Sequence, residues 1–169
     1  LRVATWNLAG GKRSDDAPVT YSMLDQRAKQ MGEILRWTRS YGCDVIALQE
    51  SESSKGFEEL GEKYELIGCA AAVESRGHVQ MYVRRGLRCE RVEVGIAEPC
   101  VVVRVFQEGG DEGDVGLTIV AVHLPSGDYR GKRMRHLQEA LEAAVDEGKV
   151  LFVGDMNAKD EEVKEICKE

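Results

Sequence analysis

The sequence predicts an α/β fold in which buried strands alternate with helices and hairpins occupy the middle of the chain. Four mostly apolar runs, rich in β-branched residues, each end abruptly in a polar side chain, which indicates strands covered on both faces. Between them, apolar residues recur at steps of three and four, as in amphipathic helices. Glycine and charged residues break the middle of the chain into short runs that are typical of hairpins.

The four buried strands are predicted at the apolar runs themselves, and each strand end delivers an acid, an amide or an imidazole. The runs and their terminal polar residues are 2–6 before Asn7, 45–48 before Gln49 and Glu50, 117–122 before His123, and 150–154 before Asp155, with Asn157 two residues on.

The first helix is predicted from Ser22, as its capping residue, to Gly42, which would end it. A second is predicted at 132–146, with Leu137 and Ala144 among its inward residues, and a short third helix after Asp160. Hairpin strands are predicted at 64–67, 79–83, 92–96 and 101–106, and the glycine-rich, acidic segment 107–116 is interpreted as a solvated loop.

Length and composition favour one globular domain spanning residues 1–169. Hydrophobic residues make up 43% and charged residues 31%, a balance typical of a soluble protein. No apolar run approaches the roughly 20 residues needed to cross a bilayer, and no signal peptide is visible. The chain opens at Leu1 rather than at a methionine, which indicates a processed chain or an excised piece.

Charge and cysteine content narrow the class of protein further. A net charge of −7 argues against a protein that coats nucleic acid electrostatically, although not against an enzyme that grips a few phosphates through a metal ion. The five cysteines form no CxxC pair and no zinc-like spacing. We interpret them as reduced, buried thiols, which predicts an intracellular protein.

The strand-end residues form a chemically consistent set. Glu50 and Asp155 are hard oxygen donors suited to Mg²⁺, with Mn²⁺ as the alternative, and poorly suited to zinc. Asn7 and Asn157 can donate to phosphate oxygens or hold a water, and His123 can donate to the same charge or move a proton. Since pockets form at sheet rims in α/β folds, we expect these side chains to converge there.

The sequence lacks the motifs of several other catalytic and nucleotide-binding sites. The sequence has no GxSxG elbow for a serine nucleophile. Gly10-Gly11-Lys12 lacks the spacing of a Walker loop and is interpreted as a turn. No histidine neighbours a cysteine in sequence, which argues weakly against a cysteine nucleophile.

Four motifs, in order and each at a strand end, resemble those of the endonuclease/exonuclease/phosphatase superfamily: Thr5-Trp6-Asn7, Leu48-Gln49-Glu50, His123-Leu124 and Gly154-Asp155-Met156-Asn157. The resemblance implies the four-layer α-β-β-α sandwich of the deoxyribonuclease-I-like fold and a metal-dependent phosphodiesterase or nuclease that acts on nucleic acid.

Two branches of the superfamily are the most similar. His123-Leu124-Pro125-Ser126 and the Asp155 motif followed by Asp160, Glu162 and Val163 resemble 5′-tyrosyl-DNA phosphodiesterases, whereas Gly154 to Ala158 leading into Glu161 also resembles the nocturnin-like and deadenylase branch. Sphingomyelinases and inositol phosphatases share the core motifs, so a lipid or inositol phosphate is an alternative substrate.

The resemblance also implies roles. Glu50 would bind the catalytic Mg²⁺ beside Asn7, and Asp155 would deprotonate the attacking water. Asn157 would help to place that water and the scissile phosphate, and His123 would contact the phosphate.

One departure from the family pattern concerns the last strand, which in the family carries a Ser-Asp-His segment. This sequence contains no such Asp-His pair. We therefore expect a domain truncated at its C-terminus and lacking its last strands, or completed by an additional segment or chain. A non-catalytic binding module derived from the family is the alternative.

The remaining candidates carry weaker predictions. The basic cluster that follows the His123 strand is interpreted as a solvated helix face, with contact to a nucleic-acid backbone as the alternative. Its members are Arg130, Lys132, Arg133 and Arg135, and His136 beside them is interpreted as solvated. Trp6 and Trp37 are predicted to lie in or near the core. Tyr21 and Tyr129 are candidates for stacking on a base, and His78 is interpreted as a hairpin residue.

Overall fold

The computed structural model describes residues 1–8, 21–51, 56–71, 77–93, 99–106, 116–125, 127, 130–145, 148–159, 161 and 164, and the statements below concern this part of the chain. Its strands are β1 (Val3–Asn7), β2 (Val45–Ser51), β3 (Tyr64–Ala71), β4 (His78–Arg84), β5 (Cys89–Val92), β6 (Cys100–Val105), β7 (Leu117–His123) and β8 (Lys149–Asp155). Its helices are α1 (Tyr21–Tyr41), α2 (Glu58–Gly61) and α3 (Arg130–Val145).

Two four-stranded sheets with related topology form the centre of the molecule. The first has the strand order β1-β2-β4-β3 and the second β5-β6-β7-β8. The outer pair of each sheet, β1/β2 and β7/β8, is parallel, and the other neighbours are antiparallel. In the part of the chain described, β1 and β8 each pair on one side only, so both are edge strands.

Three hydrophobic clusters fill the interfaces between four layers of secondary structure. The central cluster lies between the sheets, where Ala47 and Met81 of the first sheet pack against Val103 and Ile119 of the second. The other two clusters join each sheet to the helix on its outer face. The prediction of an α-β-β-α sandwich is therefore confirmed.

Each long helix packs on the parallel pair that it connects. Met31 and Ile34 of α1 contact the outer face of the first sheet, and Leu137 and Ala144 of α3 contact that of the second. Gly42 follows α1 with φ of 58° and donates its N–H to the carbonyl of Thr38 at 2.9 Å, so it ends the helix as predicted. Among the described residues, no helix is both long and apolar enough to span a bilayer.

Four predictions, two about element bounds and two about the burial of side chains, need correction. Ser22 lies inside α1 instead of capping it, because Tyr21 is already helical. Of the hairpin strand expected at 92–96, residues 94–96 lie outside the described residues. The described strand in this region is Cys89–Val92, where a cross-strand ion pair of 2.6 Å between Glu90 and Arg104 supports the pairing. Trp37 is 41% exposed and stacks on Tyr41 outside the core. His136 is 5% exposed and thus buried.

Several predictions fall outside the described residues. They are the Gly10-Gly11 turn, the loop at 107–115, and the motif residues Ser126, Tyr129, Asp160, Glu162 and Val163. Of the helix predicted after Asp160, only Glu161 and Lys164 are described. Tyr21 lies in α1, but its side chain, a candidate for stacking on a base, is outside the described part of the structure.

Candidate active site

The five strand-end residues predicted from the sequence come together between the two sheets. Asn7 and Glu50 arrive at the ends of the parallel strands β1 and β2, and His123 and Asp155 at the ends of β7 and β8. Because His123 is the register partner of Asp155 across β7 and β8, those two side chains start from neighbouring backbone positions.

Asn7 links the two sheets through its side-chain amide. Its Nδ2 donates to Oε1 of Glu50 at 2.9 Å and to Oδ2 of Asp155 at 2.7 Å. One amide thus spans two carboxylates that belong to different sheets. These charge-assisted hydrogen bonds compensate part of the repulsion between the carboxylates and fix their orientation.

A backbone irregularity turns Glu50 toward the site. The pairing of β2 with β4 shifts register between Leu48 and Ser51, and Glu50 adopts a left-handed φ of 55°. Residues other than glycine seldom adopt this conformation, and when they do they cluster at functional sites. Gly77 fits beside the bulge because a Cβ there would lie 3.0 Å from the Cα of Glu50.

Asp155 is held from two sides. The backbone N–H of Asn157 donates to its Oδ1 at 3.0 Å, while Asn7 occupies Oδ2. Gly154, just before it, has φ of 122°, and a Cβ at this position would lie 2.1 Å from the carbonyl oxygen of Val122. Glycine is therefore required where β8 meets β7.

Asn157 completes the turn after β8. It has a left-handed φ of 46°, and its Nδ2 donates to the carbonyl of Leu124 at 2.8 Å. Asparagine tolerates this conformation better than most residues. The residue thereby ties the end of β8 to the segment that follows His123.

His123 faces the carboxylates with one ring nitrogen. Its Nε2 lies 3.6 Å from Oε1 of Glu50, and its side chain is 15% exposed. The buried Nδ1 has no hydrogen-bond partner among the described residues. The exposed edge of the imidazole is thus the edge that can meet a ligand.

The donor set fits a divalent cation. Ligand atoms of Glu50, His123 and Asp155 all lie within 4.8 Å of one another. Two carboxylates held this close favour a cation between them, because like charges at short range disfavour joint ionisation. Carboxylate oxygens suit Mg²⁺ and Mn²⁺, and an imidazole nitrogen is better tolerated by Mn²⁺.

The described cysteines are poor nucleophiles. Burial raises the pKa of Cys100 to about 12, and burial likewise raises the pKa of Cys43, Cys69 and Cys89. A raised pKa leaves little thiolate near neutrality. This agrees with the sequence-based argument against a cysteine nucleophile.

The basic cluster does not form a single exposed face. Arg133 is only 4% exposed, whereas the side chain of Arg135 is 65% exposed and lies 3.9 Å from Glu139. His78, at the start of β4, donates a 3.0 Å hydrogen bond from Nδ1 to the carbonyl of Ser51, one residue beyond Glu50. It therefore contacts the strand that carries the site.

Sequence reasoning missed the parts of the site that act through the backbone. The carbonyl of Leu124 has no side-chain signature, and the closeness of Gly77 to Glu50 depends on how two distant strands pair. Arg133 was grouped with its charged neighbours, although its four-residue spacing from Leu137 places it on the inner face of α3.

Three solved structures share this architecture. D. rerio TDP2 complexed with single strand DNA product is 18% identical with a TM-score of 0.65, and the match covers 96% of this chain and 63% of that one. The human nocturnin catalytic domain with bound sulfate is 16% identical with a TM-score of 0.60, and the match covers 82% of this chain and 60% of that one. The endonuclease domain of TRAS1, a telomere-specific non-LTR retrotransposon, is 15% identical with a TM-score of 0.58, and the match covers 95% of this chain and 60% of that one. The chain thus spans less than two thirds of each of these relatives.

At these identities the likeness concerns the fold, and it confirms the predicted deoxyribonuclease-I-like architecture. No curated protein sequence matches the chain significantly. The model of one family matches residues 4–163, nearly the whole chain, including all five strand-end residues. The chain therefore belongs to the Endonuclease/Exonuclease/phosphatase family.

Proposed function

We propose that this protein is a Mg²⁺-dependent phosphodiesterase that hydrolyses a phosphate ester of nucleic acid by attack of a water that Asp155 deprotonates. The observation that carries the proposal is the convergence of Glu50, His123 and Asp155, whose ligand atoms lie within 4.8 Å of one another between the two sheets.

The domain extent and the compartment are also part of the proposal. We include residues 1–169 in one domain. We expect the protein to act inside the cell, since the described cysteines are free thiols.

Glu50 and Asn7 are the residues assigned to the metal. Glu50 offers a carboxylate, and Oδ1 of Asn7 is the amide atom able to bind a cation. When bound, the cation supplies Lewis acidity and positive charge for the phosphate. From its left-handed backbone conformation, Glu50 places Oε1 2.9 Å from Nδ2 of Asn7 and 3.6 Å from Nε2 of His123.

Asp155 is assigned to the water. Each carboxylate oxygen has two lone pairs, and the hydrogen bonds from Asn157 N–H and Asn7 Nδ2 use one on each oxygen. The remaining lone pairs can accept a proton from water. The two hydrogen bonds also fix the carboxylate, which lowers the entropic cost of aligning the water with phosphorus.

His123 and Asn157 are assigned to the phosphate. The imidazole faces the carboxylate pair with Nε2 and can donate a hydrogen bond to a phosphate oxygen when that nitrogen carries a proton. Asn157 acts through placement, since its amide is engaged with Leu124 and its backbone with Asp155.

Nucleic acid is the favoured substrate class because of the solved structures that share the fold. The D. rerio TDP2 structure contains a single strand DNA product, and the TRAS1 domain is an endonuclease. Strand-end chemistry is common to these folds, whereas loops set specificity. We therefore propose nucleic acid as the substrate, with a lipid or inositol phosphate as the alternative.

The test measures hydrolysis of bis-p-nitrophenyl phosphate and of a 5′-tyrosyl oligonucleotide with Mg²⁺ and with EDTA. We expect hydrolysis only with metal. Asp155→Asn should lower the rate by at least about 10²-fold without unfolding the protein. Glu58→Gln, which makes the same charge change on the exposed surface of α2, is the matched control.

Equal rates with Mg²⁺ and with EDTA would contradict the metal assignment. Metal binding without turnover on any ester would favour a non-catalytic binding module. A preference for phosphoinositides or sphingomyelin over oligonucleotides would contradict the substrate assignment and leave the assigned chemistry of Asp155 intact.

A further inference from the structure

Arg133 carries a guanidinium on the core-facing side of α3. It precedes Leu137, Ala140 and Ala144 at helical spacing, and all three pack against the outer face of the second sheet. The residue is only 4% exposed. Burying a charge costs free energy unless hydrogen bonds compensate it. The hydrogen-bond partners of the Arg133 guanidinium therefore indicate the role of this buried residue.

The compensating partners include carbonyls of the segment that follows β7. Nη1 of Arg133 donates to the carbonyl of Gly127 at 2.6 Å and, at a weaker 3.4 Å, to that of Pro125. We call residues 124, 125 and 127 the post-β7 segment. A planar guanidinium presents several donors in fixed directions, which suits it to holding adjacent carbonyls of one turn.

The other end of the post-β7 segment is bound to the candidate site. The N–H of Leu124 donates to the carbonyl of Asp155 at 2.9 Å, and its carbonyl accepts from Nδ2 of Asn157 at 2.8 Å. The N–H of His123 donates to the carbonyl of Pro99 at 3.2 Å. The short stretch after His123 is thus fixed on one side by site residues and on the other by Arg133.

We infer that Arg133 is a positioning residue, whose hydrogen bonds to the post-β7 segment hold the carbonyl of Leu124 in place and through it the amide of Asn157. The catalytic consequence rests on the proposed function, whereas the structural consequence does not. A direct contact with a nucleic-acid backbone does not fit the residue, because its guanidinium is buried and directed at carbonyls.

The experiment compares Arg133→Gln and Arg133→Lys with Arg135→Gln, which makes the same charge change as the first variant on an exposed position of the same helix. The first readout is the side-chain amide resonance of Asn157 and the backbone amide resonance of Leu124 in ¹⁵N–¹H spectra, recorded well below each variant's melting temperature. The second readout is the pair of constants kcat and KM, determined separately for the hydrolysis of bis-p-nitrophenyl phosphate.

We expect Arg133→Gln to shift both resonances and to accelerate exchange of the Leu124 amide proton, with Arg135→Gln unchanged. In kinetics, kcat should fall roughly 10-fold or more while KM stays within about twofold, as for residues that orient other site groups. Arg133→Lys should recover part of both effects, because an ammonium can donate to one carbonyl but lacks the planar fork.

The positioning role is overturned if folded Arg133→Gln keeps the Asn157 and Leu124 signals of the unmodified protein, or if neither Arg133 variant folds, since Arg133 would then serve the fold itself. A protein without hydrolytic activity whose Asn157 signal still responds to Arg133→Gln would contradict the proposed function alone.

Discussion

Asn157 serves the candidate site through its backbone and its side chain at once. Its φ of 46° is left-handed, and its amide donates to Leu124 across to the end of β7. Asn157→Gly keeps the backbone conformation and removes the amide, whereas Asn157→Ala removes the amide and adds conformational strain. We expect the alanine variant to lose about 1–2 kcal/mol more free energy of unfolding than the glycine variant.

Urea unfolding measures the difference, and hydrolysis of bis-p-nitrophenyl phosphate separates it from function. Both variants should lose activity to a similar extent, since both lack the amide. Equal stability of the two variants would mean that the left-handed conformation carries no cost at this position, and full activity of Asn157→Gly would contradict the role of the amide.

The junction of β7 and β8 depends on a glycine. A Cβ on Gly154 would lie 2.1 Å from the carbonyl oxygen of Val122, and φ of 122° is itself unfavourable for other residues. The obstructing atom belongs to the backbone of a central strand and cannot move aside. We expect Gly154→Ala to cost more than about 4 kcal/mol of unfolding free energy or to prevent folding.

Gly32 provides the matched control for this substitution. It lies within α1, and a Cβ there would meet no heavy atom within 4 Å. Gly32→Ala should raise the unfolding free energy by about 0.5–1 kcal/mol, because alanine favours the helix. Thermal denaturation of the two variants should therefore move in opposite directions, and a mild effect of Gly154→Ala would contradict the close approach of β8 to β7.

Asp44 joins the beginnings of β1 and β2 to the end of β4. Its Oδ2 accepts the backbone N–H of Arg2 at 2.8 Å, and its Oδ1 accepts Nε of Arg84 at 3.0 Å. Burial acts to raise the pKa of Asp44, but these hydrogen bonds and the charge of Arg84 outweigh it, so the pKa lies below its ordinary value. The ionised form is therefore stabilised by folding.

A depressed pKa gives a definite sign to the pH dependence. The contribution of Asp44 is fully present above the ordinary aspartate pKa and disappears as the pH falls through the depressed value. Asp44→Asn should cost on the order of 1 kcal/mol at pH 7, a modest figure because Arg84 is 42% exposed, and less as the pH approaches 3. Urea midpoints across this range test it, and a difference that grows with acidity would contradict the assignment.

At the scale of the molecule, the sequence predicted the buried strands because apolar runs report burial directly, whereas the order of the four layers followed from the resemblance to the endonuclease/exonuclease/phosphatase superfamily. Each strand that carries a site residue was placed within three residues of its bounds. The apolar runs are clearest in β2 and β7, which are covered on both faces, whereas β1 and β8 are only partly buried. The edge strand Cys89–Val92 was missed because its two central residues, Glu90 and Arg91, are consecutive exposed charges, so the apolar alternation of a strand is absent.

The residues that form the candidate site were also predictable from the sequence, but the contacts among them were not. A polar residue at the end of a buried strand is visible in the sequence, and Asn7 and Asp155 were found in this way. The direction of Glu50 depends on a register shift between strands far apart in the chain. The burial of Arg133 depends on where α3 packs, which its charged neighbours concealed.

At the candidate site the two sheets bring two carboxylates close together, so we expect metal binding there to affect the stability of the whole molecule. Glu50 belongs to β2 in the first sheet and Asp155 to β8 in the second, with ligand atoms within 4.8 Å. A cation bound by Glu50 would offset the repulsion between its carboxylate and that of Asp155, and would thereby stabilise the packing of sheet on sheet. We expect Mg²⁺ or Mn²⁺ at about a hundredfold excess over Kd to raise Tm by roughly 5–10 °C, reversed by EDTA.

The double variant Glu50→Gln/Asp155→Asn should lose this shift, because it keeps the shape of the site and removes both charges. Glu58→Gln/Glu59→Gln makes the same net charge change on the exposed surface of α2 and should retain it. Differential scanning fluorimetry with and without metal measures all three proteins. If both double variants respond to metal as the unmodified protein does, the shift reflects general screening of the −7 net charge, and a cation at Glu50 does not stabilise the packing of the sheets.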